Sequence, residues 1–435
     1  MSARGFAAVV TGLAVGLAVA VTGCGGDSAR TVKVVSDLPL RGGDSVQSAQ
    51  MEWAIGHVIN ERYGGKAGQF TIEYKSHDNA TDAAGRWAAS KCVDNARSYA
   101  SDDLVVGVIG PVNSGCAEYE IPILNRANVA MVSPSVTAVG LTKGSRVTIP
   151  GQPQRYYPSG RRNFFRVVPS DDHQGRAGAS FMKKELGVTR VYVLDDKGLY
   201  GKGVADAFRV SAGEFGPKVV GHEGWDADPK DTDPEYTKLV ARIKKSRADG
   251  IYVGGSVSSN GGKLVSELVD KTDARLLVSD GFLSSAIFAG GNPVNGVFGT
   301  FPAADTTTSG DLLKSTLVKT DPDAHIDPYT VYAAAAAEVL LDAICRSNGR
   351  REDVIAKLFE TDLETVVGRM KFDENGDPKR FDKHGDRVDA AKTGYLKYKA
   401  LEGAWRLFRP PPPRPGRQLA AQGAKPCLKP AAKPR

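Results

Sequence analysis

The sequence has few of the features that mark a metal-dependent or nucleotide-dependent enzyme. It contains only five cysteines and six histidines, with no Cys-x-x-Cys pair and no His-Glu-x-x-His segment. The segment around Lys263 has Val257 and Leu264 where a phosphate-binding loop needs Gly and Ser or Thr. Residues 373–384 lack the glycine and the final glutamate of a calcium-binding EF-hand loop. These absences exclude the common metal and phosphate sites, and we expect no catalytic residue, no metal and no cofactor.

The folded part of the chain has no excess charge of either sign. The formal net charge is +7, but residues 410–435 carry six basic residues and no acidic one, and Arg4 supplies the seventh charge. Residues 24–409 are therefore neutral, so a nucleic-acid partner is not expected. Residues 410–435 also contain eight prolines, which predicts a stiff, disordered tail. This tail either touches anionic wall polymer or lipid headgroups, or has no function.

Long apolar runs are also scarce, and the most informative one lies at the N-terminus. Residues 6–22 are apolar, follow Arg4, and end at Gly23 and Cys24. A charged start, an apolar middle and a small residue at the cleavage point are typical of a secretory signal, and the run is short for a membrane span. A cysteine directly after the cut resembles the lipobox of bacterial lipoproteins. We therefore predict a signal peptide over 1–23 and a lipid on Cys24, the alternative being an ordinary signal with a coincidental cysteine.

Four further cysteines suggest disulfides in an oxidising compartment, namely Cys92, Cys116, Cys345 and Cys427. Four cysteines allow three pairings. The favoured bond is Cys92–Cys116, which closes a loop of about 25 residues and is worth roughly 3 kcal/mol in the chain-entropy model. A second bond, Cys345–Cys427, would fix the tail to the folded part of the chain.

Predicted strands and helices alternate along the chain, which favours an α/β fold with mainly parallel sheets. The segment 104–109 is a continuous apolar strand of the kind that is buried on both faces, and 82–99 is predicted to be helical. A break near 164–169 separates two series of strands and helices. Because roughly 410 residues remain after the signal, which exceeds one typical core, we expect two similar lobes with a cleft between them.

Three junctions between a strand and the following segment are suited to binding a small zwitterion. Ser114 follows the buried strand and begins a helix, and Ser135 and Thr137 follow the next strand. Hydroxyls and backbone N–H groups of two such loops bind a carboxylate without a charged partner. Asp280 follows a strand of the second series and would hold an ammonium group. Each residue alone is equally typical of a helix cap or a turn, and the combination favours a binding site.

These features together make the chain similar to a known family. It resembles the extracytoplasmic solute-binding proteins of branched-chain amino acid ABC transporters, especially their lipoprotein versions in actinobacteria. The resemblance covers about residues 31–407. The segments that carry it are Ser36–Arg41, Asn60–Gly65, Gly107–Gly110, Val132–Ser135, Tyr200–Gly203 and Lys371–Asp377.

The resemblance implies a type I periplasmic-binding fold with two Rossmann-like lobes joined by a three-strand hinge. The N-terminal lobe is expected to comprise 31–168 and 303–372, and the C-terminal lobe 169–302 and 373–409. Residues 24–30 would be a tether between the lipid and the first lobe, and 410–435 the disordered tail.

The resemblance also assigns roles to individual residues. The matching positions are Ser114, Ser135, Thr137, Tyr200, Ser256, Asp280 and Tyr329. The hydroxyls at 114 and 137 match those that hold the α-carboxylate, and position 135 matches a residue that contributes backbone groups. Asp280 matches the acidic partner of the α-ammonium, Tyr200 an aromatic that caps the ligand, and Tyr329 is expected to line the pocket.

The chain departs from the family pattern at two places. Ser256 stands where leucine-type binders have an aromatic residue, and the loop 41–44 is shorter and more charged than usual. Both changes leave polar room around the side chain of the ligand. The ligand is therefore expected to have an amino-acid head group, but its side chain need not be branched and aliphatic.

The function implied by the resemblance is that of a monomeric, lipid-anchored receptor on the outer face of the cell membrane. It would capture an amino acid or a small amide by closure of the two lobes and deliver it to ABC permease subunits. Three alternatives stay open at this point: a ligand sensor that uses the same fold, a secreted enzyme, and a structural lipoprotein of the cell envelope.

Overall fold

The computed structural model describes most of the chain between residues 30 and 408. The described residues are 30–228, 236–291, 293–302, 313, 315–317, 319, 326–379, 396–408 and 427. The predicted signal peptide, Cys24 and all of the predicted tail except Cys427 lie outside them. No helix among the described residues combines the length and the apolar composition that a membrane span requires.

Strands and helices alternate in this structure as the sequence predicts. The strands are β1 (Arg30–Leu38), β2 (Lys66–Ala67), β3 (Phe70–Asp78), β4 (Ala80–Thr81), β5 (Arg86–Trp87), β6 (Val105–Ile109), β7 (Ala130–Ser133), β8 (Phe164–Arg166), β9 (Arg190–Asp195), β10 (Lys218–Gly224), β11 (Gly250–Gly254), β12 (Arg275–Val278), β13 (Phe298–Phe301), β14 (Leu363–Thr365), β15 (Gly368–Phe372), β16 (Pro378–Lys379), β17 (Leu396–Leu401) and β18 (Ala404–Leu407). The helices are α1 (Ser45–Gly56), α2 (Ala89–Ser101), α3 (Ser114–Arg126), α4 (Asp171–Lys184), α5 (Leu199–Phe215), α6 (Thr237–Lys245), α7 (Gly261–Lys271), α8 (Tyr329–Arg346) and α9 (Arg351–Phe359).

The first sheet has the strand order β2-β3-β1-β6-β7-β8, and all of its pairings except β2–β3 are parallel. Its central strand β6 is fully buried, as expected for an apolar strand covered on both faces. On one face, α8 packs against β6, β7, α1 and α9, while α2 and α3 pack together on the other. The alanine-rich α8 lies so close that a methyl group on Gly107 would meet Leu340 at 2.7 Å.

The second sheet has the strand order β10-β9-β11-β12-β13-β17-β18. It is parallel from β10 to β13, and β17 and β18 complete it as an antiparallel edge. The paired helices α4 and α5 cover one face. The apolar sides of α6 and α7 belong to the core on the other face. Two sheets with mainly parallel strands confirm the predicted α/β class.

One local prediction is wrong, and a turn elsewhere has a well-defined geometry. The helix predicted over 82–99 is wrong in its first turns, because β5 pairs with β4 as a short hairpin and the helix begins only at Ala89. The turn at 373–377, in contrast, joins β15 to its antiparallel partner β16. Its geometry is held by Asp373, whose Oδ1 accepts hydrogen bonds from the N–H groups of Asn375 and Asp377, each at 2.9 Å.

The favoured disulfide is present in this structure, and so is the second pairing, which the sequence left open. Cys92 and Cys116 join α2 to α3, with their Cα atoms 5.7 Å apart. Cys345, at the end of α8, is bonded to Cys427 with a Cα separation of 5.9 Å. The second bond means that a chain truncated before residue 427 would lose a disulfide.

Two carboxyl groups are buried side by side beneath the first of these disulfides. Asp37, on β1, and Glu120, on α3, are both fully inaccessible to solvent. Asp37 accepts hydrogen bonds from Tyr99 at 2.9 Å and Asn95 at 3.2 Å. Burial raises the pKa of Asp37 to about 6, and burial together with the neighbouring Asp37 raises the pKa of Glu120 well above its usual range.

This pair predicts an unusual dependence of stability on pH. Because both pKa values are raised on folding, the folded chain binds more protons than the unfolded chain, and the pair lowers the free energy of unfolding as the pH rises from about 4. In Glu120→Gln, a neutral amide replaces the carboxyl. We expect this variant to gain about 1–3 kcal/mol of stability at pH 8 and to match the parent near pH 4.

Thermal melts of the full chain between pH 4 and pH 8 measure this difference. Glu267→Gln is the matched control, since Glu267 lies on the surface of α7 beside Lys271 and its replacement should have a small effect at every pH. A Glu120→Gln melting temperature that stays below that of the parent at pH 8 would contradict the prediction.

Candidate functional site

The loops that follow the strands of the two sheets come into contact with each other. A methyl group on Gly43, in the first lobe, would lie 2.8 Å from Ser258 Cα in the second. Arg86 donates a hydrogen bond to Ser259 Oγ across the same gap at 3.4 Å, and Arg146 forms an ion pair with Glu214. The cleft between the sheets is therefore closed in this structure.

Two loops on the first sheet form a pocket lined by hydroxyl groups. Ser114 begins α3 and is buried, and its Oγ accepts a hydrogen bond from Ala138 N at 3.3 Å. Thr137 is also buried, and its hydroxyl faces the Asp171 carboxylate without a hydrogen bond of regular geometry. Because α3 has no side-chain cap, its first N–H groups are available to a ligand. The predicted meeting of these loops is thus observed.

The neighbouring serines hold this pocket in shape. Ser133 Oγ donates to Pro111 O at 2.7 Å and accepts from Val136 N at 3.0 Å. Ser135 Oγ donates to Val112 O at 3.0 Å. The hydroxyl of Ser135 therefore ties the two loops together, and its backbone N–H donates to Ser133 Oγ at 3.3 Å.

The second sheet contributes an acidic group that two tyrosines hold in place. Asp280 follows β12 and is buried. Its Oδ1 accepts a hydrogen bond from the Tyr200 hydroxyl at 2.5 Å, and its Oδ2 accepts one from Tyr329. The Tyr200 hydroxyl in turn accepts a hydrogen bond from Gly281 N at 3.1 Å. The structure thus brings together three of the residues that the sequence analysis selected.

A second buried acidic group, Asp171, was missed by the sequence analysis. Asp171 is the first residue of α4 and is fully inaccessible to solvent. Neither carboxylate oxygen has a hydrogen bond of regular geometry, and the donor that faces the carboxylate is the Thr137 hydroxyl. The backbone N–H of Asp171 donates to Thr137 O at 3.0 Å, which places Asp171 beside the hydroxyl pocket. An acidic residue in the first turn of a helix is common as a charge that stabilises the helix, so the sequence gives no special signal for it.

The two acids affect each other and the surrounding tyrosines. Burial, and then the charge of Asp280, raise the pKa of Asp171 well above its usual range, and burial also raises the pKa of Asp280. Burial and these carboxylates raise the pKa values of Tyr200, Tyr252 and Tyr329. The charge of Arg166 offsets part of this effect on Asp171, but two close carboxyl groups are still unfavourable when both are charged. An ammonium group placed between them would remove that cost.

Ser256 lies at the edge of this acidic site. A methyl group on Gly281 would lie 3.0 Å from Tyr200 Cε1 and 3.1 Å from Ser256 Cβ, so the glycine permits all three to pack together. Ser256 Oγ also lies 3.0 Å from Ser258 Oγ. The departure from an aromatic residue at this position therefore places a hydroxyl group beside the cleft.

Cations for this site are scarce among the described residues around it. The buried Arg166 acts on Asp171 through its charge, but its N–H groups are engaged with other partners: Nε donates to Asp377 Oδ1 at 2.7 Å and Nη1 to Ala138 O at 3.0 Å. One described group has a geometry suited to a metal ion, namely Cys92, Cys116 and Glu120. Its two cysteines are oxidised to a disulfide, which removes their thiolates as metal ligands.

Comparison with known proteins agrees with this architecture. Residues 31–381 match a family described as periplasmic binding protein. A relative in Brucella abortus, named Leu/Ile/Val-binding protein homolog 1, is 27% identical over 393 residues, which cover 88% of this chain and 94% of that protein.

Solved structures show the same fold. The leucine-binding protein LivK of Thermotoga maritima has a TM-score of 0.72 and 20% identity, covering 87% of this chain and 97% of its own. LivJ of Streptococcus pneumoniae, solved with isoleucine, has a TM-score of 0.68 and 18% identity, covering 88% of this chain and all of its own. The predicted type I fold is confirmed, and the family implies a location outside the cytoplasm. The chain belongs to the periplasmic binding protein family.

Proposed function

We propose that this protein is the ligand-capturing receptor of an ABC importer and that it binds an amino acid or a related small amide between its two lobes. The observation that carries the proposal is the pairing of two opposite chemistries. A pocket of hydroxyl and N–H groups around Ser114 and Thr137 meets a pair of buried carboxyl groups, Asp171 and Asp280. A zwitterion satisfies both ends at once.

In this proposal, the protein binds its ligand tightly because the two lobes close around it. The acidic end is built from the second lobe and from Tyr329 of α8, while the hydroxyl end belongs to the first lobe. A ligand therefore has all of its polar partners only when the lobes are together, and hinge motion couples binding to desolvation. The lobe boundaries at 168–169, 302–303 and 372–373 are part of the proposal.

The proposal also includes the class of ligand, the permease partners and the membrane anchor. The curated relative is named for leucine, isoleucine and valine, which supports an amino acid as the ligand and permease subunits as partners. The proposed lipid on Cys24 would hold a monomeric receptor at the membrane. In this role the chain binds its ligand and releases it chemically unchanged.

Ligand binding should raise the melting temperature of the full chain. We expect a free amino acid at 100 times its dissociation constant to add about 2.7 kcal/mol to the free energy of unfolding. The measurement is a thermal-shift screen of the full chain in detergent against amino acids, amides, short peptides and sugars. The full chain is needed because a shorter one would lose the Cys345–Cys427 bond.

The controls separate recognition of the head group from other effects. The α-N-acetyl and α-amide derivatives of the best amino acid each lack one charge, and neither should give the full shift. A folded protein that responds to no amino acid and no amide, or that responds to a sugar, would contradict the proposed function.

A further inference from the structure

Beyond the head-group site, the cleft contains a second set of polar residues. We call it the distal cluster, and it consists of Asp44, Arg86, Asn113, Asp196, Ser256, Ser258 and Ser259. Asp44, Arg86 and Asn113 come from the first lobe and the others from the second. The two halves meet where Arg86 donates to Ser259 Oγ and where Gly43 approaches Ser258.

The distal cluster adjoins the head-group site on both sides. In the second lobe, Ser256 packs beside Tyr200 at Gly281, the residue after Asp280. In the first lobe, Asn113 directly precedes Ser114, and its Nδ2 donates to Asp44 Oδ2 at 3.2 Å. The distal cluster is therefore the polar neighbour of the head-group site in both lobes.

Most acceptors of the distal cluster have donors: Asp44 accepts from Asn113 and Ser258, and Asp196 accepts from Ser259 and from Gly198 N. What remains is one carboxylate more than the cluster has cations, and the amide oxygen of Asn113. Asp44 and Asp196 are two carboxylates, and Arg86 is the cation that faces both of them. Asp44 is buried, and Asn113 Oδ1 is buried with no hydrogen-bond partner. Ser259 Oγ already donates to Asp196 Oδ2 at 2.8 Å. What the cluster lacks is a further donor of positive charge.

An aliphatic side chain would be poorly matched to this environment. It would leave the second carboxylate without a balancing charge and Asn113 Oδ1 without a donor, and covered polar groups without partners are costly. A nitrogen that carries positive charge would donate to Asn113 Oδ1 and balance the second carboxylate.

We propose that the ligand is an amino acid whose side chain ends in a cationic nitrogen, an amine or a guanidine, and that Asp44 and Asp196 select it. This inference rests on the proposed function, because it assumes that the head group is held at Asp171, Asp280, Ser114 and Thr137.

The test compares charged ligands with neutral analogues of the same shape by isothermal titration of the full chain. The probes are lysine with norleucine, arginine with citrulline, and leucine, glutamine and glutamate as other side-chain classes. Lysine or arginine should bind at least tenfold more tightly than its neutral analogue and than leucine. Because this comparison uses the unmodified protein, it does not depend on any variant folding.

Two substitutions then assign the preference to residues. Asp44→Asn and Asp196→Asn should each weaken binding of the cationic ligand about 10- to 100-fold and leave its neutral analogue within about threefold. Asp206→Asn is the control, because Asp206 bonds Lys202 and Arg209 on the outer side of α5 and should leave binding unchanged.

The outcomes separate this inference from the proposed function. If leucine or another neutral amino acid binds most tightly and the two substitutions have no effect, the inference is overturned while the proposed function stands. If glutamate binds most tightly, the distal cluster selects through Arg86, and the inference is likewise overturned. If no amino acid binds, the proposed function fails together with it.

Discussion

Replacing Asp280 by alanine is expected to weaken binding of the amino-acid ligand at least 100-fold. The carboxylate is buried and accepts hydrogen bonds from Tyr200 and Tyr329. Its removal leaves both hydroxyls without their acceptor and leaves the ligand ammonium facing one carboxylate in place of two. Loss of one partner of a buried charge pair costs about 3–5 kcal/mol, which corresponds to more than a hundredfold in the dissociation constant.

Isothermal titration of the full chain measures this effect. A second variant, Asp280→Asn, separates loss of the charge from loss of the side chain. The asparagine keeps an acceptor for one tyrosine and nearly the same volume, so its melting temperature should stay close to that of the parent, but it lacks the charge. We therefore expect Asp280→Asn to be folded and to bind as poorly as the alanine variant. An affinity for the amino acid that is unchanged in the asparagine variant would show that the ammonium lies elsewhere.

Replacing Asp171 by asparagine should change stability and binding in opposite directions. In the ligand-free protein, this carboxyl is buried, and burial and the charge of Asp280 raise its pKa, although the Thr137 hydroxyl and the charge of Arg166 offset part of the increase. Its ionisation therefore opposes folding at pH 8. Asp171→Asn should raise the free energy of unfolding by about 1–3 kcal/mol and weaken ligand binding about 10- to 100-fold.

The pH dependence gives this prediction a second test. A group whose pKa is raised on folding destabilises the folded state progressively as the pH rises above its unfolded value, here about 4. The stability gained by Asp171→Asn should thus be largest at pH 8 and vanish near pH 4. Thermal melts across this range measure it, and titration of the ligand at pH 8 measures the loss of affinity.

The neighbouring Asp172 provides the matched control. Asp172 lies in the same helical turn, but it bonds Ser170 at 2.6 Å and forms an ion pair with Lys143 at 3.0 Å. Asp172→Asn should therefore be neutral or slightly destabilising and should leave binding unchanged. If Asp171→Asn lowered stability and affinity together, its role would be structural support of α4.

The fold could be predicted from the sequence because a buried strand or helix has a recognisable pattern of apolar residues. The strand β6 is a run of apolar residues, since helices cover both of its faces, and such a run is recognisable without any structure. The hairpin β4–β5 was misread as the start of a helix. Each strand of this hairpin has two residues. Two residues are too few to show the alternation of apolar and polar side chains that identifies a strand.

The candidate site was only partly predictable for a related reason. Ser114, Thr137 and Asp280 could be found because each follows a strand at the edge where ligands bind in parallel sheets. Asp171 and Asp44 could not, because their importance comes from burial against the opposite lobe. Contact between two lobes depends on how far they close, and a sequence has no local pattern that records it.

The bond between Cys345 and Cys427 gives the chain a covalent ring that passes through both lobes. The ring starts at Cys345, at the end of α8 in the first lobe, and includes β17 and β18 of the second sheet. The disulfide between Cys345 and Cys427 closes it. The 18 residues between Phe408 and Cys427 span at most roughly 60 Å when extended, a length that allows a hinge to open. A single peptide cleavage anywhere in 409–426 would consequently leave every part of the receptor on one molecule, still attached to whatever holds its N-terminus.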